Sequence, residues 1–264
     1  MPEITLPLNI SFLQLAGVCV VAFLAGFIDA TSGGGGLVQL PGVMTCLPNV
    51  PVVTLLAINK TSSVLGTSVA TIGYAKKGLI DFKRMWRAAL IAMFTSAFGA
   101  YMAKRVPNEF LKPLIIVLMA FMLIFTIVKK DFGNEETKSR FTEKQQALLG
   151  CVMGLLIGFY DGFFGPGTGN FLIMALIFIY GLDFLHASAD AKLVNLATNI
   201  AAMAMYISLG VGNLVLGVTM GVFNMAGSAL GVKLAVLKGS KYIRVLFIVV
   251  SAGLLIKQIV ELIG

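Results

Sequence analysis

The chain has 264 residues, 58% of them hydrophobic and only 12% charged, with a mean hydropathy of +0.94. Soluble domains carry about a quarter charged residues, so this composition excludes a soluble domain and predicts an all-α polytopic membrane protein in contact with the lipid bilayer. A net charge of +8 would suggest a nucleic-acid partner in a soluble protein. Here the basic residues fall mostly in short loops, where they report topology instead, and no nucleic acid is expected.

In chain order, MPEITLPLNI has no Lys or Arg ahead of the first apolar run. It lacks a signal-peptide n-region, and that run is expected to remain as a membrane helix. Apolar runs lie at 13–28, 52–75, 88–103 and 114–128, then at 147–164, 171–180, 193–209, 215–236 and 245–260. Most can cross a bilayer core, which takes roughly 20 helical residues. Cys19, Cys46 and Cys151 are scattered through these runs without paired or metal-ligand spacing. They read as small core residues, and neither a metal nor a cofactor is expected.

Two glycine-rich stretches interrupt the apolar pattern, GFIDATSGGGGL at 26–37 and GFYDGFFGPGTG at 158–169. Sliding the chain by half its own length superposes them, with Asp29 on Asp161, Gly33 on Gly165 and Gly35 on Gly167. The same shift places Lys60 on Lys192, Tyr74 on Tyr206, Gly78 on Gly210 and Gly99 on Gly231. Over 24–128, 25 of 105 positions are identical. Apolar composition alone would not align two aspartates, two lysines and several glycines in one register, so the chain is an internal duplication. The halves are 1–132 and 133–264, joined by a polar linker at 129–146.

Each half reads as five segments, the second of them short, at 37–47 and 170–180. The loop after the third segment of the first half holds Lys76, Lys77, Lys83, Arg84 and Arg87, while its counterpart at 207–219 holds no charge. By the positive-inside rule these loops lie on opposite faces. Lys129, Lys130, Lys138, Arg140 and Lys144 of the linker, and Lys238, Lys241 and Arg244 near the end, also fit a cytoplasmic face. Lys104, Arg105 and Lys112 fall on the outer face and run against the rule. The expectation is that the two halves are inverted-topology repeats, with broken or re-entrant helices at the glycine motifs and the N-terminus outside. Five crossings per half, or three with a re-entrant hairpin, both satisfy inversion.

Backbone that leaves helical geometry inside a bilayer must be sheltered by protein or line a cavity. Gly33, Gly34, Gly35 and Gly36 permit such a break, and Gly165, Gly167 and Gly169, with Pro166, repeat it. A helix restarting there, through Thr168 and Asn170 in the second copy, presents free N–H groups and a positive dipole end to an anion. Close helix packing is the other use of such glycines.

With the third segments starting near Val52 and Phe184, Lys60 and Lys192 sit several residues inside them, where an ionisable group is a functional-site hypothesis. Lys60, Ser63, Thr67 and Tyr74 share a helix face, as do Lys192, Asn195, Asn199 and Tyr206. Each lysine is expected either to bind a small anionic substrate or to form a salt bridge to the nearby aspartate. Asp29 and Asp161 are expected either to carry a coupling proton or to cap the free N–H groups of the break. Asp190, with Ile58 at the equivalent position, is expected to pair with a lysine or take a proton. His186 is expected in an interfacial loop, Trp86 as an interfacial anchor, and Lys233 and Lys257 near helix ends.

With the duplicated glycine motifs and the INK and DAK lysines, the chain resembles the TauE/SafE sulfite exporter family over nearly its whole length. The resemblance implies a bacterial or archaeal-type inner-membrane permease for sulfite, an organosulfonate or a related sulfur oxyanion, working by alternating access. An anion channel, or a permease for a non-sulfur small organic acid, is the competing reading. An enzyme is not expected, since one histidine and scattered cysteines supply no nucleophile and base. No phosphate-binding loop of the G-x-x-x-x-G-K-[ST] type appears.

Overall fold

The computed structural model describes residues 10–128 and 138–238, together with the single positions 256 and 260. Among these residues the secondary structure is entirely helical. They form, in chain order, α1 (Phe12–Ser32), α2 (Gly36–Cys46), α3 (Val52–Lys76), α4 (Phe82–Ala103), α5 (Asn108–Val128), α6 (Glu143–Phe163), α7 (Thr168–Tyr180), α8 (Phe184–Ser208) and α9 (Leu214–Lys238). Half of the linker (129–137), Lys241, Arg244, Lys257 and nearly all of the last apolar run lie outside the described residues.

Helix bounds repeat with the sequence period. The starts of α2, α3 and α4 match those of α7, α8 and α9 position for position under the duplication, and α3 and α8 also end in register. Both α1 and α6 begin on a capping box, Ser11 with Gln14 and Thr142 with Gln145, each side chain satisfying the other's backbone N–H. Asp81 caps α4 by accepting from the Arg84 N–H at 2.9 Å.

By length and hydropathy α1, α3, α6 and α9 can each cross a membrane, and α7 with α8, bent by 120° at the break between them, fits a broken span or a re-entrant loop. The 11 residues of α2 reach only about 16 Å, and the 13 of α7 about 20 Å, at 1.5 Å per residue. Neither crosses a core of about 30 Å alone. Exposed apolar side chains such as Phe94, Phe98, Val117, Leu156 and Val222 cover the outside, as lipid contact requires.

The packing is crossed between the halves. Helix α1 lies chiefly on α9 and α6 on α4, while α3 packs on α9 and α8 on α4. Small residues allow these approaches. A Cβ on Gly162 would enter the Ser96 backbone of α4, and one on Gly227 would enter the Phe23 backbone of α1. The centre is the contact of α3 with α8, the two helices that carry the lysines.

Three local expectations change. The basic loop after α3 is shorter than its composition suggests, because α4 starts at Phe82 and takes Lys83, Arg84, Trp86 and Arg87 into its first turns. His186 lies in the first turn of α8 rather than in a loop, its Nδ1 2.6 Å from Oδ2 of the N-cap Asp183. Asp190 pairs with an arginine rather than a lysine. Its carboxylate accepts from Arg84 Nη1 at 3.0 Å and from the Asp81 N–H at 2.8 Å, tying α8 to the start of α4.

Candidate functional site

Each glycine motif ends one helix and begins another. Gly33 closes α1 in the left-handed region at φ 78°, and Gly165, its repeat equivalent, stands at φ 86°. A residue with a Cβ is strained there, which explains why the duplication places glycine at both. The two breaks face each other. A Cβ on Gly33 would sit 2.7 Å from the Gly169 carbonyl carbon, and one on Gly36 would sit 3.1 Å from Pro166 Cα. The first turns of α2 and α7 therefore start close together, and the N–H groups that a helix start leaves without an intrahelical partner gather at one place.

Beside this junction the charged residues form a crossed pair of ion pairs. Lys60 of α3 lies 2.6 Å from Asp161 Oδ2 of α6, both side chains being only 2% exposed. Lys192 of α8 lies 2.8 Å from Asp29 Oδ2 of α1, at 1% and 17% exposure. Each lysine thus pairs with the aspartate of the other half. Neither carboxylate caps the break in its own motif among the described hydrogen bonds; the ammonium groups hold them. Among the described residues Asp161 Oδ2 has no partner besides the Lys60 ammonium.

The polar stripes of α3 and α8 interlock around these pairs. Lys60 Nζ donates to Asn199 Oδ1 at 2.9 Å, and Asn199 Nδ2 donates to Thr67 Oγ1 at 3.4 Å and Asn195 Oδ1 at 3.3 Å. Thr67 and Asn199 are equivalent in the duplication, so this contact joins the two copies directly. The tyrosines behave alike, Tyr74 donating to the Ala30 carbonyl at 2.6 Å and Tyr206 to the Gly162 carbonyl at 3.3 Å. Those acceptors are themselves equivalent positions of the two copies. Each tyrosine anchors its helix to the helix that precedes the break in the same half.

These groups surround a cavity of about 30 Å³, room for roughly two waters. Of the residues expected at a site, Gly33, Gly35, Gly36, Lys60, Gly165, Gly167, Thr168, Gly169, Asn195 and Asn199 line it, with Asp29 and Asp161. Ser63 and Thr67 of the α3 stripe also line it. Gly34, Asn170 and Lys192 do not, although Lys192 reaches the lining through Asp29. Three lining residues had no signal in the sequence: Gln39, Asn59 and Asn224. Gln39 and Asn224 are isolated amides in apolar helices, while Asn59 stands beside Lys60 in the INK triplet, and Asn224 Nδ2 meets Gln39 Oε1 at 2.8 Å across 185 residues of chain.

Buried ion pairs weigh against stability unless something else uses them, and within membrane helices such groups mark substrate or ion pathways. The class of protein defined by this centre, held in a bundle of membrane-length helices, is a membrane transporter. The chain belongs to the sulfite exporter TauE/SafE family, whose model matches residues 18–257. It is 32% identical to the probable membrane transporter protein ORF9 of Sinorhizobium, over 96% of this chain and 95% of the relative. It is 31% identical to the probable membrane transporter protein YfcA of Escherichia coli, over 92% and 88%, and 28% identical to a probable membrane transporter protein of Haemophilus influenzae, over 94% and 95%. No solved structure matches it.

Proposed function

We propose that the protein is a secondary permease of a bacterial-type inner membrane. It carries a small anion, a sulfur oxyanion such as sulfite or an organosulfonate, through the cavity between the broken helices by alternating access. The observation that carries this reading is the crossed lattice of Lys60–Asp161 and Lys192–Asp29 beside two helix starts. Helix N-termini facing a buried cavity suit an anion, and discontinuous helices at the meeting of inverted repeats are the usual site of secondary transporters. Because both lysines are already paired, an anion gains their charge by competing with the carboxylates. Asp29 and Asp161 are, in this reading, the groups that carry a coupling proton when anion moves down or against a pH gradient. The sulfur head group rests on family membership, since the relatives' names give no substrate.

Purified protein in liposomes should show saturable counterflow of labelled sulfite. Asp29→Asn and Asp161→Asn should abolish uptake driven by a pH gradient while leaving counterflow measurable. Non-saturable flux without counterflow would establish a channel instead, and unchanged gradient-driven uptake in both variants would remove the aspartates from coupling. Inversion predicts that cysteines at Lys77 and Leu209, equivalent positions after α3 and α8, react with an impermeant reagent from opposite sides. Labelling from one side would make the repeats parallel.

A further inference from the structure

The charged centre of the cavity follows the duplication, but one wall does not. Gln39 on α2, Asn59 on α3 and Asn224 on α9 line it as neutral amides. The equivalent positions of the other copy hold Phe171, Ala191 and Ala92. None of these three lines the cavity, so the amide wall has no counterpart from the repeat, an asymmetry that a symmetric inorganic ion would not require.

The amides are buried, with Gln39 2%, Asn59 3% and Asn224 4% exposed. Their packing is built for them. A Cβ on Gly66 of α3 would collide with the Asn224 side-chain amide, and one on Gly26 of α1 with its backbone carbonyl. Asn224 Oδ1 lies 3.4 Å from Ser228 Oγ, and Asn224 Nδ2 donates to Gln39 Oε1 at 2.8 Å. That bond uses the oxygen of Gln39 and leaves its Nε2 without a partner among the described residues, while Asn59 Oδ1 has none either. Buried polar atoms are normally paired, so one unused donor and one unused acceptor on a cavity wall describe the group they await.

We propose that Gln39, Asn59 and Asn224 form a neutral subsite for the hydroxyl of a short bifunctional anion whose charged head lies at the helix starts. A hydroxyl both accepts and donates: it takes the Gln39 Nε2 hydrogen and gives its own to Asn59 Oδ1, while Asn224 holds the glutamine in place. An alkyl end would bury both atoms unpaired. An ammonium end would look for a carboxylate, and both cavity carboxylates are held by lysines. The substrate class is thus a hydroxyalkyl sulfonate, or a hydroxy acid if the head is a carboxylate. This rests on the reading of the same cavity as an anion-transport site.

The test uses full-length protein, with competition against counterflow and thermal stabilisation as readouts. Two matched pairs are compared, isethionate with ethanesulfonate and lactate with propionate. Isethionate should compete about 10-fold better than ethanesulfonate, or more, since a site built to hydrogen-bond a hydroxyl rejects the analogue lacking it. In Gln39→Leu and Asn59→Ala that ratio should fall towards one. Both variants place apolar groups where the other repeat has Phe171 and Ala191, and a native-like thermal transition confirms folding. Equal competition within each pair, or a ratio kept in both variants, overturns the subsite. If neither sulfonate binds but lactate outcompetes propionate, the subsite stands and the sulfur head group is wrong. If no anion of either pair competes while labelled sulfite still shows counterflow, the subsite is overturned and the transport reading stands; if sulfite counterflow is absent as well, both fail.

Discussion

At Lys60 an ammonium is held with its carboxylate where water hardly reaches, and that pairing decides what a substitution does. Lys60→Met leaves Asp161 charged at 2% exposure. Removing one partner of a buried pair costs about 3–5 kcal/mol. Lys192→Met strands Asp29, which keeps 17% exposure and can be partly hydrated, so the loss should be smaller. Thermal unfolding in detergent should rank Lys60→Met below Lys192→Met. Lys60→Met with Asp161→Asn should recover most of the stability, yet stay inactive in counterflow if the lysine meets substrate; recovered transport would make the pair purely structural. The two lysines were legible because a charge in an apolar run stands out. Their partners were not, since either aspartate could serve either lysine until the packing crossed the halves. The amides Gln39, Asn59 and Asn224 were illegible for a different reason. Gln39 and Asn224 stand alone in apolar helices and Asn59 is overshadowed by the charge of Lys60 beside it, and only the approach of α9 to α2 and α3 gives these three a common cavity.

The helices divide by how strictly they need their glycines. Gly169, in the first turn of α7, would place a Cβ 2.6 Å from Gly33 Cα, against backbone that cannot turn aside. Gly78, after α3, has φ 69° but nothing within 4 Å. Gly169→Ala should therefore separate the two breaks and abolish counterflow, whereas Gly78→Ala should cost only the left-handed penalty of about 1–2 kcal/mol and keep transport. Similar transport in the two variants would show that the breaks need not touch. At this scale the sequence served well for the long elements. The third segment of each half was read as starting near Val52 and near Phe184, and the helices are Val52–Lys76 and Phe184–Ser208. The start of α4 was read late because its first turns are polar, with Lys83, Arg84 and Arg87; the first turns of α8 carry His186 and Asp190. Those polar residues are helical because Asp81 and Asp183 cap the turns and Arg84 reaches across to Asp190.

Across the molecule, each half finds its main packing partners in the other. Helix α1 rests on α9, α6 on α4, and both ion pairs run between halves. Neither 1–132 nor 133–264 should therefore fold alone, although each contains its own glycine motif and lysine. Expressed separately in membranes, each should be degraded or aggregate; expressed together, split within the linker, they should assemble and restore counterflow. A stable, monodisperse half would show that the crossed contacts are dispensable.

What the sequence determined by itself was the membrane environment, the duplication, and the glycines, lysines and aspartates that stand out from it and meet in the fold. Each of these is a local departure from apolar composition, or a register that chance does not produce. Which lysine holds which aspartate, that the breaks face one another, and that Gln39, Asn59 and Asn224 share one cavity were decided by tertiary structure alone. All three depend on helices from opposite halves of the chain coming together. Periodicity within a helix shows which face is polar; it carries no information about the helix that face will meet.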